Sequence, residues 1–155
     1  MAKKEKKEKR REIKLTFEQL LAIYQQQRAL IDSLTNQESM IRSIIAELQS
    51  TQDALSEIKK VGKDTNMLVS LGSGVFASAR LSDASEVKVE IGGNVFEQMP
   101  IAKALNKLEE RKANLEKRLK NIGERKKQAI AFVIQLERLI NEAQRKAREK
   151  VQGVA

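Results

Sequence analysis

The stretch MLVSLGSGVFASARLSDASEVKVEIGGNVFE, residues 67–97, decides the fold of this chain. Met67, Val69 and Leu71 stand at alternate positions, as do Val75, Ala77, Ala79 and Leu81, and then Val87, Val89 and Ile91; Val95-Phe96 begins a fourth run. A period of two puts each series on one face of an extended strand. Between the runs lie Gly72-Ser73-Gly74, Ser82-Asp83-Ala84-Ser85 and Gly92-Gly93-Asn94, residue types that accept positive φ or bond to their own backbone in tight turns. The reading is four short strands in two β-hairpins, occupying 63–99.

Outside this segment the period changes. Gly62, Gly72, Gly74, Gly92, Gly93 and Pro100 crowd the middle, whereas the flanks hold only Gly123 and Gly153. Residues 15–62 and 100–150 are therefore predicted to be two long helices. Thr16-Phe17-Glu18-Gln19 fits a capping box, with Leu15 and Leu20 placed as a hydrophobic staple. Lys59 and Lys60 suit the negative end of the first helix, and Gly62 suits its left-handed cap. Pro100 suits the first turn of the second helix.

Heptads can be counted along both. In the first, a positions are Phe17, Tyr24, Ile31, Glu38, Ile45 and Gln52, and d positions are Leu20, Gln27, Leu34, Ile41, Leu48 and Leu55. In the second, a positions are Leu105, Lys112, Leu119, Lys126, Val133 and Ile140, and d positions are Leu108, Leu115, Ile122, Ala129, Leu136 and Ala143. Such repeats specify a coiled-coil seam, which neither helix can bury alone. Their similar lengths, roughly 70–75 Å at 1.5 Å per residue, predict an antiparallel helical hairpin closed by the central segment. Pairing counted from the 62/101 end sets Tyr24 near Leu139 and Ile31 near Phe132.

Composition narrows the function. The 155 residues carry 30 Lys and Arg against 21 Asp and Glu, a formal charge of +9, with no Cys, His or Trp and only five aromatic residues. Disulfides, zinc sites and cysteine or histidine catalysis are excluded. Gly72-Ser73-Gly74 lacks the third glycine of a dinucleotide fingerprint, and no Gly-Lys-Ser/Thr follows for a phosphate loop. No catalytic residue, metal site or cofactor is read, and the chain is taken not to be an enzyme. No apolar run reaches membrane-spanning length and no signal peptide is recognised, so a cytoplasmic protein is expected. Residues 1–14 hold eight basic and three acidic side chains and read as a disordered tail; residues 151–155 read as a second one.

A lone two-stranded hairpin is marginal in water, and an open apolar edge invites aggregation. Two hairpins on a thin helical pair therefore call for strands from other chains. The side chains expected at that assembly surface are Val69, Leu71, Val75, Ala77, Ala79 and Leu81 of the first hairpin. From the second they are Val87, Val89, Ile91, Val95 and Phe96. Packing of the hairpins on the base of their own coiled coil is the alternative.

The run Leu68-Val69-Ser70-Leu71-Gly72-Ser73-Gly74-Val75-Phe76, continued by Ala79-Arg80-Leu81-Ser82-Asp83 and Glu86 through Glu97, between two heptad helices, resembles the α-class subunit of prefoldin. Ser70 departs from the family pattern, which often has proline there, and the basic N-terminal extension lies outside it. The resemblance implies a fold of a long antiparallel two-helix coiled coil joined by two β-hairpins that co-assemble into an intersubunit β-barrel. It implies an ATP-independent co-chaperone in which two α-class and four β-class subunits form a hetero-hexamer. Six coiled-coil arms then hold unfolded proteins at their tips and pass them to a group II chaperonin.

The residues themselves indicate where such clients would bind. Large apolar side chains outside the seam are absent from 102–129 but arrive at Ile130, Phe132, Ile134 and Leu139. Leu15, Leu21, Ile23, Leu30 and Ile44 are the off-seam counterparts in the first helix, and the client-binding residues among them are Leu15, Leu21, Ile23 and Leu30, beside the seam aromatics Phe17 and Tyr24. An exposed apolar stripe marks an interaction surface; widening of the helix–helix core is the bland alternative. A basic coiled coil binding nucleic acid, or a structural tether, is the competing function. Its charges are interspersed with Glu, as in Arg111, Lys112, Glu116, Lys117 and Arg118, and no aromatic stacking platform accompanies them. Nucleic acid is accordingly expected only as a non-specific partner.

Overall fold

The computed structural model describes residues 16–152. The element order is α1 (Phe17–Val61), β1 (Asn66–Gly72), β2 (Val75–Arg80), β3 (Glu86–Gly92), β4 (Val95–Pro100) and α2 (Ile101–Gln152). The segment 1–14, the staple residue Leu15 and residues 153–155 lie outside the described residues.

The start of α1 is the capping box expected from Thr16 and Gln19. The Gln19 amide donates to Thr16 Oγ1 at 3.2 Å, and the Thr16 amide donates to Gln19 Oε1 at 2.9 Å. Each side chain satisfies a donor that no helical carbonyl can reach. At the other end Gly62 takes φ +79° and its amide donates to the Ile58 carbonyl at 3.1 Å. That left-handed conformation is costly for a residue with a Cβ.

Both hairpins are antiparallel two-stranded sheets, β1 with β2 and β3 with β4. Ser73-Gly74 and Gly93-Asn94 turn them, all four residues with positive φ, as two-residue turns that match strand twist require. Each hairpin also holds a bulge. The register steps from Ser70↔Phe76 to Gly72↔Val75 and from Glu90↔Phe96 to Gly92↔Val95, leaving Leu71 and Ile91 as the extra residues. Leu71 and Ile91 were read as in-phase members of their series; the bulge takes each out of the pairing.

Pro100 is not the first helical residue. It closes β4 opposite Glu86, and α2 starts at Ile101, whose amide donates to the Ser85 carbonyl at 3.0 Å. A proline lacks an amide hydrogen, so it suits a strand terminus as well as a helix start. At the far end α2 runs to Gln152, two residues past the boundary drawn from sequence; helix ends carry that uncertainty.

The chain divides into two compact units. The helical unit joins α1 up to Thr35 with α2 from Arg125, and the hairpin unit spans Asn36–Glu124. In the helical unit Leu20, Leu34, Ala129, Val133 and Leu136 are buried, all of them a or d residues. In the hairpin unit the buried side chains are Leu48, Met99, Ile101, Ala104 and Ile122. The helices pair antiparallel: Gln52 donates to Glu109 Oε2 at 2.8 Å and Lys112 to Gln49 Oε1 at 2.7 Å, so three residues back along α1 is three forward along α2. In the helical unit the Tyr24 hydroxyl donates to Glu137 Oε1 at 3.0 Å. That is two residues short of the Leu139 opposition expected; the end of α1 at Val61 rather than Gly62 accounts for one of the two.

Candidate functional site

Two surfaces gather the apolar side chains singled out from sequence, one in each unit. In the helical unit Phe17, Leu21, Ile130, Phe132, Ile134 and Leu139 are all exposed. Ile23, Tyr24 and Leu30 are half-buried. Heptad position alone does not set this division. Ile23 and Leu30 are g residues of α1, and Phe132 and Leu139 are g residues of α2. Reversing one helix of a pair brings g beside g, so these four share one flank of the seam. Ile134, at b, stands away from the seam altogether. The Glu137 carboxylate holds Tyr24 by its hydroxyl, which leaves the ring as a wall of the seam. Phe17 borders an open groove of about 470 Å3 lined by Ala143, Gln144, Ala147 and Arg148. Small side chains on that side let a bulky apolar group approach the helix backbone.

In the hairpin unit Val69, Leu71, Val75, Ile91, Val95 and Phe96 are exposed, while Ala77, Ala79, Leu81, Val87 and Val89 are half-buried. Val87 and Val89 line a groove of about 510 Å3 with Thr51, Leu55, Ala104 and Leu108 of the helices. Part of the second hairpin is thus turned towards its own coiled coil. Glu97, on the same face as Val87 and Val89, accepts Lys107 Nζ at 2.9 Å and Lys103 Nζ at 3.1 Å. The hydrogen bond from Lys107, then that from Lys103, holds its carboxyl below the ordinary glutamate range. Between the hairpins the Asp83 carboxyl is also lowered, first by the Ser85 hydroxyl and then by the Ser85 amide, at 2.6 and 2.7 Å.

Among the described residues, five exposed large apolar residues lie outside the candidate surfaces, Val61 and Met67 at the ends of elements and three others. Leu68, at 69% exposure, and Phe76, at 59%, lie on the face of the first hairpin opposite Val69 and Ala77. The signal is present: Leu68-Val69 and Val75-Phe76 are consecutive apolar pairs, so each puts one apolar side chain on either face of its strand. Asn66, Ser70, Ser78 and Arg80 share the face of Leu68 and Phe76, and on the second hairpin Glu86, Lys88, Glu90 and Gln98 share the corresponding face with Phe96. Met40 is the third; a single methionine at a c position leaves no periodic trace.

No group of His, Cys, Asp or Glu among the described residues is placed to hold a metal ion, and no described helix is long and apolar enough to cross a membrane. The arrangement offers apolar surface rather than reactive groups.

Comparison with known proteins gives a consistent answer. The profile of the family described as Prefoldin, prefoldin subunit, matches residues 27–146. The prefoldin subunit alpha of Methanothrix thermoacetophila is 33% identical over 105 residues, 68% of this chain and 69% of the relative. That of Pyrococcus horikoshii is 29% identical over 134 residues, 86% of each chain. Among solved structures, the cryo-EM structure of filamentous PFD from Methanocaldococcus jannaschii aligns over 83% of this chain and 94% of its own, with TM-score 0.48 and 22% identity.

Proposed function

This chain belongs to the prefoldin family, in its α class, and from that membership we propose that it works as an ATP-independent holdase subunit that keeps unfolded proteins from aggregating and delivers them to a group II chaperonin. As a prefoldin chaperone subunit it assembles with other prefoldin subunits. The proposed assembly is a cytoplasmic hexamer of two such chains with four β-class subunits, knitted through the exposed strands of both hairpins.

The observation that carries the holdase reading is the apolar surface of the helical unit. Six large apolar side chains stand exposed there on a two-helix scaffold, five of them off the a and d positions that its seam buries and the sixth, Phe17, at the first a position of α1. Unfolded chains present apolar segments of no fixed sequence. A shallow surface of separate aliphatic and aromatic contacts holds such segments without selecting among them, and each contact is weak enough to let go. No nucleotide is needed for a cycle of this kind, since release is dissociation.

Aggregation suppression tests the reading. The chain mixed with a β-class partner is expected to suppress light scattering by a denatured client, and to do so equally at low and high salt, because apolar contact is not screened. A basic tether or nucleic-acid binder would leave the client to aggregate and would instead bind an oligonucleotide in a salt-sensitive way.

A further inference from the structure

Within the hairpin unit the g positions of α2 are Ala104, Arg111 and Arg118, so this flank of the helix pair carries two arginines seven residues apart. Ile44 is a g residue of α1 and belongs to the same flank. In the structure Ile44 and Leu115 line an open groove of about 500 Å3 with Arg111, Asn114 and Arg118, and Lys107 and Glu110 complete its rim. Lys107 is occupied by Glu97 at 2.9 Å. Arg111 and Arg118 are exposed and, among the described residues, have neither an ion pair nor a hydrogen bond. Elsewhere on these helices cations do find partners, as Arg42 does with Glu38 at 2.8 Å and Lys112 with Gln49 at 2.7 Å. One turn before Ile44 along α1, Met40 is 67% exposed.

We propose that this groove is a docking site for an acidic amphipathic helix of another protein. Arg111 and Arg118 are seven residues apart, two turns or about 10.5 Å along α2. A helix lying along the groove repeats that spacing in carboxylates at i and i+7, each able to take both prongs of a guanidinium. An aliphatic side chain between the two carboxylates covers Ile44 and Leu115, which is the helix-in-groove mode with charged flanks. The chain's own N-terminal segment does not suit the groove, because eight basic against three acidic residues in 1–14 would face two arginines. A nucleic acid suits it poorly too: the floor is aliphatic, and no aromatic ring lines it for a base to stack on. This site is separate from the apolar surface of the helical unit and does not rest on the holdase reading.

The test uses the full chain in its assembly with a β-class partner, and a fluorescein-labelled 18-residue alanine-based peptide. The peptide carries Glu at two positions seven apart and Leu at the third and fourth positions between them; a twin carries Lys in place of Glu. The Glu peptide is expected to bind, to weaken as salt rises from 50 to 500 mM, and to lose about tenfold or more of its affinity in the double variant Arg111→Glu, Arg118→Glu. That variant should gain binding of the Lys twin, a charge-swap rescue that misfolding cannot produce. Equal binding of both peptides by the wild type, or unchanged affinity in the double variant, overturns the proposal. So does tighter binding of a single-stranded oligonucleotide that the same variant abolishes, which would make the site one for nucleic acid. Self-association of the wild-type assembly lost in the variant would likewise replace the acidic helix by a second copy.

Discussion

Phe17, Phe132, Ile134 and Leu139 each keep 41–51% of their surface in contact with water, and changing all four to serine removes most of the apolar material proposed to hold a client. Full burial of such a side chain is worth about 1.5–3 kcal/mol. The exposed remainder can therefore give a bound chain on the order of 0.6–1.5 kcal/mol per residue. A mobile client covers only part of it, so the four together are worth about 2–4 kcal/mol, or roughly 30- to 1000-fold in affinity. The assay is light scattering of a denatured client at increasing ratios of the assembled complex. The serine variant should need far more complex for the same suppression, with helix content and assembly mass unchanged. A companion in which Phe17, Phe132 and Ile134 become leucine keeps the apolar area and should keep the activity. Full suppression by the serine variant at the wild-type ratio would refute the assignment, and so would equal loss in the leucine companion.

Other consequences concern the scaffold. Leu34 is 1% exposed, and Leu34→Ala should cost about 2–5 kcal/mol, read as a lower thermal midpoint of the helical signal. Gly74 turns the first hairpin at φ +78° with open space where a Cβ would lie, so Gly74→Ala pays only the backbone cost, about 1–2 kcal/mol, seen as faster hydrogen exchange across β1 and β2. Glu97 titrates below its ordinary value of 4.5. Its ion pairs therefore stabilise the fold above that pH and cease to do so as pH falls through the lowered value. A thermal-midpoint gap between wild type and Glu97→Gln should be present at neutral pH and close in acid. In an NMR titration Lys107→Ala should raise the Glu97 value more than Lys103→Ala does.

Much of this architecture is legible in residue periodicity. A switch from a period near 3.5 to a period of two and back, punctuated by glycine, leaves little choice but two helices around two hairpins. The capping box at Thr16 and the cap at Gly62 are legible because each has a local hydrogen-bonding reason. What escapes is whatever periodicity counts through without noticing. Leu71 and Ile91 keep phase in sequence, yet the glycine after each lets the strand bulge, and the pairing slips by one residue. Pro100 satisfies the chemistry of a strand end and of a helix start equally, so only the register opposite Glu86 decides between them. At the apolar surfaces an off-seam position signals exposure only in part. Ile23 and Leu30 of α1 are half-buried at g, whereas Phe132 and Leu139 of α2 are exposed at the same heptad position. Leu68 and Phe76 escape because the alternation is counted along one face of the hairpin, and they stand on the other among Asn66, Ser70, Ser78 and Arg80.

Native mass spectrometry of the complex formed on co-expression with a β-class subunit tests the central claim most directly. If the strands β1 to β4 are finished by other chains, the spectrum should show a closed assembly of two copies of this chain with four of the partner, and no folded free subunit. A stable, fully folded species at the 17.5 kDa mass of one chain, indifferent to the partner's presence, would contradict it.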